Sequence, residues 1–242
     1  MSMCSIDGGV VAVALYNSEI HFIRVTKAGR QVQERKLKLE HDCRSIAHNQ
    51  GFLYITSGMA LHQYTVCGRL VSTIHVDKSL RATGEACVFN PYESAEERVR
   101  LAAGIDNYYH YHRSVNSCVV SPDGTNLYVF HGYKLITLSR DGTVINKLAF
   151  YPESEDMYWY SIVYFNTVRP ANFLHITDSG QVLVCRALSN GICQVDSGGR
   201  QIRADVVTED MVRSPLSVFY SKHRAALIVG VLDSDYIMVF KT

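Results

Sequence analysis

Tryptophan is almost missing from this chain, proline is scarce, and neither sign of charge dominates: one Trp, five Pro and a formal net charge of +1 in 242 residues. The near-zero balance excludes long-range attraction of the whole chain to DNA or to an anionic membrane. Seven cysteines at scattered spacings include no CxxC pair, which argues against a disulfide framework and for reduced, buried thiols. The apolar run Val10–Leu15 is too short for a signal core or a membrane span, and the N-terminal residues carry no basic stretch. The sequence reading therefore expects a cytoplasmic protein without membrane contact. Catalytic signatures are also lacking. No GxSxG elbow, GxxxxGK[ST] loop, GxGxxG fingerprint or HExxH pair occurs.

What the chain does have is a repeat. Cys43–Ile74 and Asn116–Leu148 share one order: apolar strand, polar turn with Gly, a Leu-Tyr strand, a short loop, an alternating strand, a second turn with Gly, and a last strand. Gly51 and Gly68 lie 17 residues apart, as Gly124 and Gly142 lie 18 apart and Gly180 and Gly198 lie 18 apart. The strings Leu53-Tyr54-Ile55-Thr56 and Leu127-Tyr128-Val129-Phe130 carry the β-branched and aromatic types that suit a pleated surface. The Gly-bearing pairs between strands supply positive φ for hairpin turns. Weaker copies run through Cys4–Leu37, Phe173–Asp205 and Pro215–Thr242. A further copy at Ala86–Arg113 has a stretched first turn and no clear fourth strand.

Repeats of about 40 residues with four strands each predict radial blades. The expectation is an all-β, six-bladed propeller of antiparallel four-stranded blades with one or two irregular blades, five or seven being the alternatives. The approximate units are 1–40, 41–77, 78–114, 115–150, 151–212 and 213–242, forming one domain. Inner strands are expected at Ser45–Ala47, Cys118–Ser121 and Leu216–Tyr220, and a polar outer strand at Arg30–Leu39. The last unit stops at its third strand.

The pattern of apolar strand, Asp/Asn-x-Gly turn, Leu-Tyr-Val strand and Asp-Gly turn resembles the NHL repeat, most clearly in Cys43–Ile74 and Asn116–Leu148. WD40, kelch and lactonase-type propellers share much of the rhythm, but no Gly-His…Trp-Asp signature is present. The resemblance implies a recognition module of the kind found at the C-terminus of tripartite-motif ubiquitin ligases, reading proteins or single-stranded RNA on one face. The zinc modules of such ligases are not in this chain.

In a propeller the blade-linking loops and the loops between second and third strands share a face, where ligands sit. Arg44, Arg81, Arg113 and Arg213 fall in or beside four linkers, each just before an inner strand. On one face they would form a cationic ring suited to carboxylate, phosphate or RNA backbone. Asp42, Asp77, Asp156, Glu209 and Asp210 lie in the same loops and could neutralise them. Tyr158, Trp159 and Tyr160 could stack a base or a partner side chain, or pack beneath their own long loop. His131 and Tyr133 stand at a loop mouth. His110 and His112 share a strand face, but no third ligand accompanies them, so no metal or cofactor is expected. The favoured reading is binding of a protein partner. Alternatives are single-stranded RNA binding on the arginine face, and a channel enzyme using groups such as Glu85, Asn116, Asn166 and Asp178.

Overall fold

The computed structural model describes every residue except 1, 16, 58–59, 77–114, 132–133, 151–172, 187–188, 233 and 242. The described residues form nineteen strands in five antiparallel sheets. Blade 1 holds β1 (Ser2–Asp7), β2 (Val10–Leu15), β3 (Glu19–Val25) and β4 (Gln31–Lys38). Blade 2 holds β5 (Ser45–Asn49), β6 (Phe52–Thr56), β7 (Ala60–Thr65) and β8 (Leu70–Val76). Blade 3 holds β9 (Val115–Val120), β10 (Asn126–His131), β11 (Lys134–Ser139) and β12 (Val144–Ala149). Blade 4 holds β13 (Leu174–Ile176), β14 (Val182–Arg186), β15 (Gly191–Val195) and β16 (Ile202–Val207). Blade 5 holds β17 (Pro215–Ser221), β18 (Ala226–Val231) and β19 (Ile237–Lys241), with a 3₁₀ turn at Lys222–Arg224.

Each sheet is a meander in which strands pair in chain order. The first strands are neighbours: β1 lies against β5, β5 against β9, β9 against β13, and β13 against β17. The sheets therefore stack as blades around an axis lined by their first strands, as the repeat predicts. The described residues form five blades, the alternative count, rather than the favoured six. Blades 2 and 3 pack directly on each other, so no sheet stands between them, and the unit expected at 78–114 lies outside the described residues.

Alternation puts successive side chains on opposite faces of a sheet, and here both faces are apolar. Leu53 and Ile55 of β6 pack backward into blade 1 beside Ala12, Ile20 and Phe22. Tyr54, between them, packs forward into blade 3 beside Leu127 and Val129. Tyr128 of β10 repeats this by joining the core shared with blades 4 and 5. Both tyrosines are fully buried. Each such large side chain contributes about 1.5–3 kcal/mol of apolar burial, so interblade packing carries most of the fold's driving force.

The outer turns show why the glycines recur. In Ser139–Thr143 the N–H of Gly142 donates to the carbonyl of Ser139, and the N–H of Ser139 to the carbonyl of Thr143, both at 2.9 Å. Gly142 has φ +90°, a left-handed conformation that glycine adopts without steric cost. The same ring of bonds closes at the outer turns Thr26–Arg30 and Thr65–Arg69, and at Thr177–Gln181 between the first two strands of blade 4. In the turn between β15 and β16 of blade 4 the glycine with positive φ is Gly199 (+65°), not the Gly198 that the spacing suggests.

Candidate functional site: the linker face

A four-strand meander alternates its turns between two faces. The linkers and the loops between second and third strands fall on one, the remaining hairpin turns on the other. The hydrogen bonds confirm this gathering. The N–H of Leu39, in the linker after blade 1, donates to the carbonyl of Ser18 in that blade's middle loop at 2.8 Å. The N–H of Ser214, in the linker before blade 5, donates to Asn190 Oδ1 of the middle loop of blade 4, also at 2.8 Å. The carbonyl of Ser214 in turn accepts from the N–H of Leu232 in the middle loop of blade 5, at 3.0 Å.

Arg44 ends the first of these linkers, immediately before β5. It is half-buried, and its Nη1 donates to Asn116 Oδ1 on β9 at 3.1 Å. Asn116 is itself buried, so the guanidinium spans two first strands 72 residues apart in sequence. Beneath it lies a seam of small polar groups. Ser2 Oγ and Ser45 Oγ are 3.3 Å apart, and the N–H of Ser45 donates to Thr56 Oγ1 at 2.9 Å. Arg213 lies next to last in the linker before blade 5 and is exposed. Among the acids expected to neutralise the arginines, Asp210 accepts from the Thr208 hydroxyl of its own turn, which holds its carboxyl below the usual range. Arg81, Arg113, Tyr133, Tyr158, Trp159, Tyr160, His110 and His112 lie outside the described residues, as do Glu85 and Asn166. The backbone of His131 closes β10 at the expected loop mouth. Asp178, a candidate channel group, sits in the turn after β13, exposed and 3.3 Å from Lys222 Nζ.

The described part of this face contains a cluster that the sequence reading missed. His41, from the linker, stacks on His62 of β7 with ring centroids 4.2 Å apart and planes 19° from parallel. His41 Nε2 is 2.8 Å from the Tyr64 hydroxyl, and its Nδ1 is 2.7 Å from the carbonyl of Asp42. His62 Nε2 is 3.0 Å from Ser57 Oγ, and its Nδ1 is 3.1 Å from Thr73 Oγ1. Burial, with the neighbouring His41 adding to it, pushes the His62 imidazole down to about 4. His62 and Tyr64 lie two apart on one strand, which places them on one face, but nothing local announces that His41 folds over them. Among the described residues no group of three or more His, Cys, Asp or Glu side chains is arranged to hold a metal ion.

Nearly the whole chain aligns with one chain of a solved structure, and the stacked four-stranded meanders decide the fold. The chain is a β-propeller. It matches a chain from the "Crystal Structure of Mitotic Checkpoint Complex" with a TM-score of 0.59 at 10% sequence identity, covering 98% of this chain and 60% of that one. This chain thus spans less than two thirds of its neighbour's length, and the likeness establishes the fold alone. No family model and no curated protein matches. Among the described residues no helix is long and apolar enough to cross a membrane.

Proposed function

We propose that the protein is a recognition module that binds a protein partner on its linker face. The observation that carries this reading is the mutual bracing of segments far apart in sequence. Residues 39–44, Asn190 and residues 208–214 are held by main-chain and side-chain bonds to one face of a rigid stack. A scaffold of this kind presents side chains in fixed geometry, which lowers the ordering cost of association. Arg44 and Arg213 give that face cationic character, arginine being a residue type that concentrates binding energy, and the half-buried rings of His41 and His62 add partly accessible aromatic surface above the buried Tyr64.

The ligase-associated role, in which such a module selects substrates for ubiquitin transfer, rests on the NHL-like repeat rhythm. The rival reading, single-stranded RNA, draws on the same arginines and makes the opposite demand on salt, since affinity for phosphates falls steeply as counterions are added.

A photoreactive amino acid at the exposed Asp42 position, compared with one at the exposed Ala28 in the turn on the opposite face, separates these readings. Discrete protein adducts from position 42 and none from position 28 are expected. Adducts to RNA would transfer the site to the rival ligand. Equal labelling from both positions would overturn the assignment of the face.

A further inference from the structure

We propose that a second copy of this chain adds a fourth strand to blade 5, which holds three among the described residues, by antiparallel pairing of β19 with β19. In blades 1–4 the third strand is flanked on both sides and is largely buried: β7 and β11 expose no residue fully. β19 is the third strand of blade 5, yet it alternates exposed and half-buried residues as the outer strand β12 does. Among the described residues no strand pairs with its outer edge, the place that β4, β8, β12 and β16 take in the other blades, and each of those is already paired within its own sheet.

The strand is unguarded. Ile237 and Val239 are 64% and 56% exposed, no proline interrupts the segment, and its sole charge is Lys241 at the end. Edge strands of soluble proteins are normally protected by charge, proline or a bulge. The opposite side of the sheet is sealed, because Val218, Leu227 and Val229 belong to the core shared with blade 4, with Met238 and Phe240 packed against it.

The sequence of β19 suits its own reverse. A two-fold axis at Val239 places Val239 opposite Val239, Met238 opposite Phe240, and Ile237 opposite Lys241. The cross-strand row Phe219, Ile228, Val239 then continues into the same row of the second copy, making one apolar stripe across six strands. Cross-strand apolar pairs of this kind stabilise a sheet, and a two-fold, self-complementary contact is the commonest way for identical chains to associate.

Sedimentation velocity of the full chain tests this over a concentration series. The wild type is expected to show a monomer–dimer equilibrium. Val239→Lys and Val239→Glu, which each place like charges opposite one another at the axis, should sediment as monomers with unchanged circular dichroism. An equimolar mixture of the two should regain the dimer, because the charges then oppose as a complementary pair. Val144→Lys on the exposed strand β12 should dimerise as the wild type does. A wild type that stays monomeric at every concentration, single variants that still dimerise, or a mixture that does not recombine would each overturn the proposal.

Discussion

Tyr128, on the second strand of blade 3, donates from its hydroxyl to the carbonyl of Ser197 in the outer turn of blade 4, at 2.5 Å. A corresponding reach links blades 1 and 2, where Arg35 Nη2 donates to the carbonyl of Val66 at 2.6 Å. Blades are thus fastened by side chains that satisfy turn carbonyls of the next blade as well as by apolar packing. Tyr128→Phe keeps the ring and deletes the bond. It should cost about 1 kcal/mol, lowering the melting temperature by roughly 2–4 °C for a domain of this size. Thermal denaturation followed by circular dichroism measures it, and an unchanged melting temperature would show that the bond contributes nothing net.

Gly142 and Gly29 occupy the same place in the outer turns of blades 3 and 1, with φ of +90° and +73°. A Cβ on Gly142 would stand 2.2 Å from the carbonyl oxygen of Ile74 in blade 2, whereas one on Gly29 would meet nothing within 4 Å. Gly29→Ala should therefore cost only the left-handed strain, about 1–2 kcal/mol. Gly142→Ala should add overpacking on top, a further 1–3 kcal/mol or about that. Chemical denaturation of the two variants gives the difference directly. Equal losses would mean that the turn of blade 3 does not press on blade 2.

Burial pushes the His175 imidazole of β13 down to about 4, against a weaker upward pull from Asp178. Its ring lies 4.9 Å from that of Phe219 on β17. An unfolded histidine takes up its proton near pH 6.5, at about its unperturbed value. Between there and about 4 the unfolded chain binds the proton that the folded chain refuses, so stability present above pH ~6.5 falls as the pH falls. His62 adds to the same loss. A His175→Gln variant should show a shallower decline of unfolding free energy across this window. A pH dependence identical to the wild type would contradict the burial of this imidazole between blades 4 and 5.

Burial also pushes the thiols of Cys43 and Cys118 up to about 12, with the Cys118 thiol reinforcing it for Cys43 and a hydrogen bond from the Ser45 side chain opposing it for Cys118. Cys67 is exposed in the outer turn of blade 2. Since the thiolate is the reacting species, brief alkylation of the folded protein by iodoacetamide, read by peptide mass, should mark Cys67 ahead of Cys4, Cys43, Cys118, Cys185 and Cys193. Rapid labelling of Cys43 or Cys118 would show that the cores between the first blades open readily.

Most of the fold is legible in the residues because its information is local. The Leu-Tyr strands, the Gly turns and the polar outer strand Gln31–Lys38 each carry their own period or turn chemistry, and they appear where these predict. The choice between Gly198 and Gly199 was not legible, because two adjacent glycines both permit positive φ and the register of β15 with β16 decides. The count of blades was not legible either: the pattern at 78–114 resembles a repeat, yet blades 2 and 3 meet without it. At the candidate site, position before an inner strand placed Arg44 and Arg213 on the linker face. The stacking of His41 on His62 depends on how a linker folds back across a neighbouring strand, which no periodicity encodes.

The account rests on first strands of successive blades standing side by side around an axis, and the most direct measurement of this is an engineered cross-link between two of them. Ser2 Oγ and Ser45 Oγ, 43 residues apart in sequence, lie 3.3 Å from each other, a separation that suits replacement by two sulfurs. The double variant Ser2→Cys/Ser45→Cys should form a disulfide between these positions on mild oxidation, identified by peptide mass, with the circular dichroism spectrum retained. Failure of these two positions to join while the protein remains folded would contradict the packing of blade 1 against blade 2 and the shared linker face built on it.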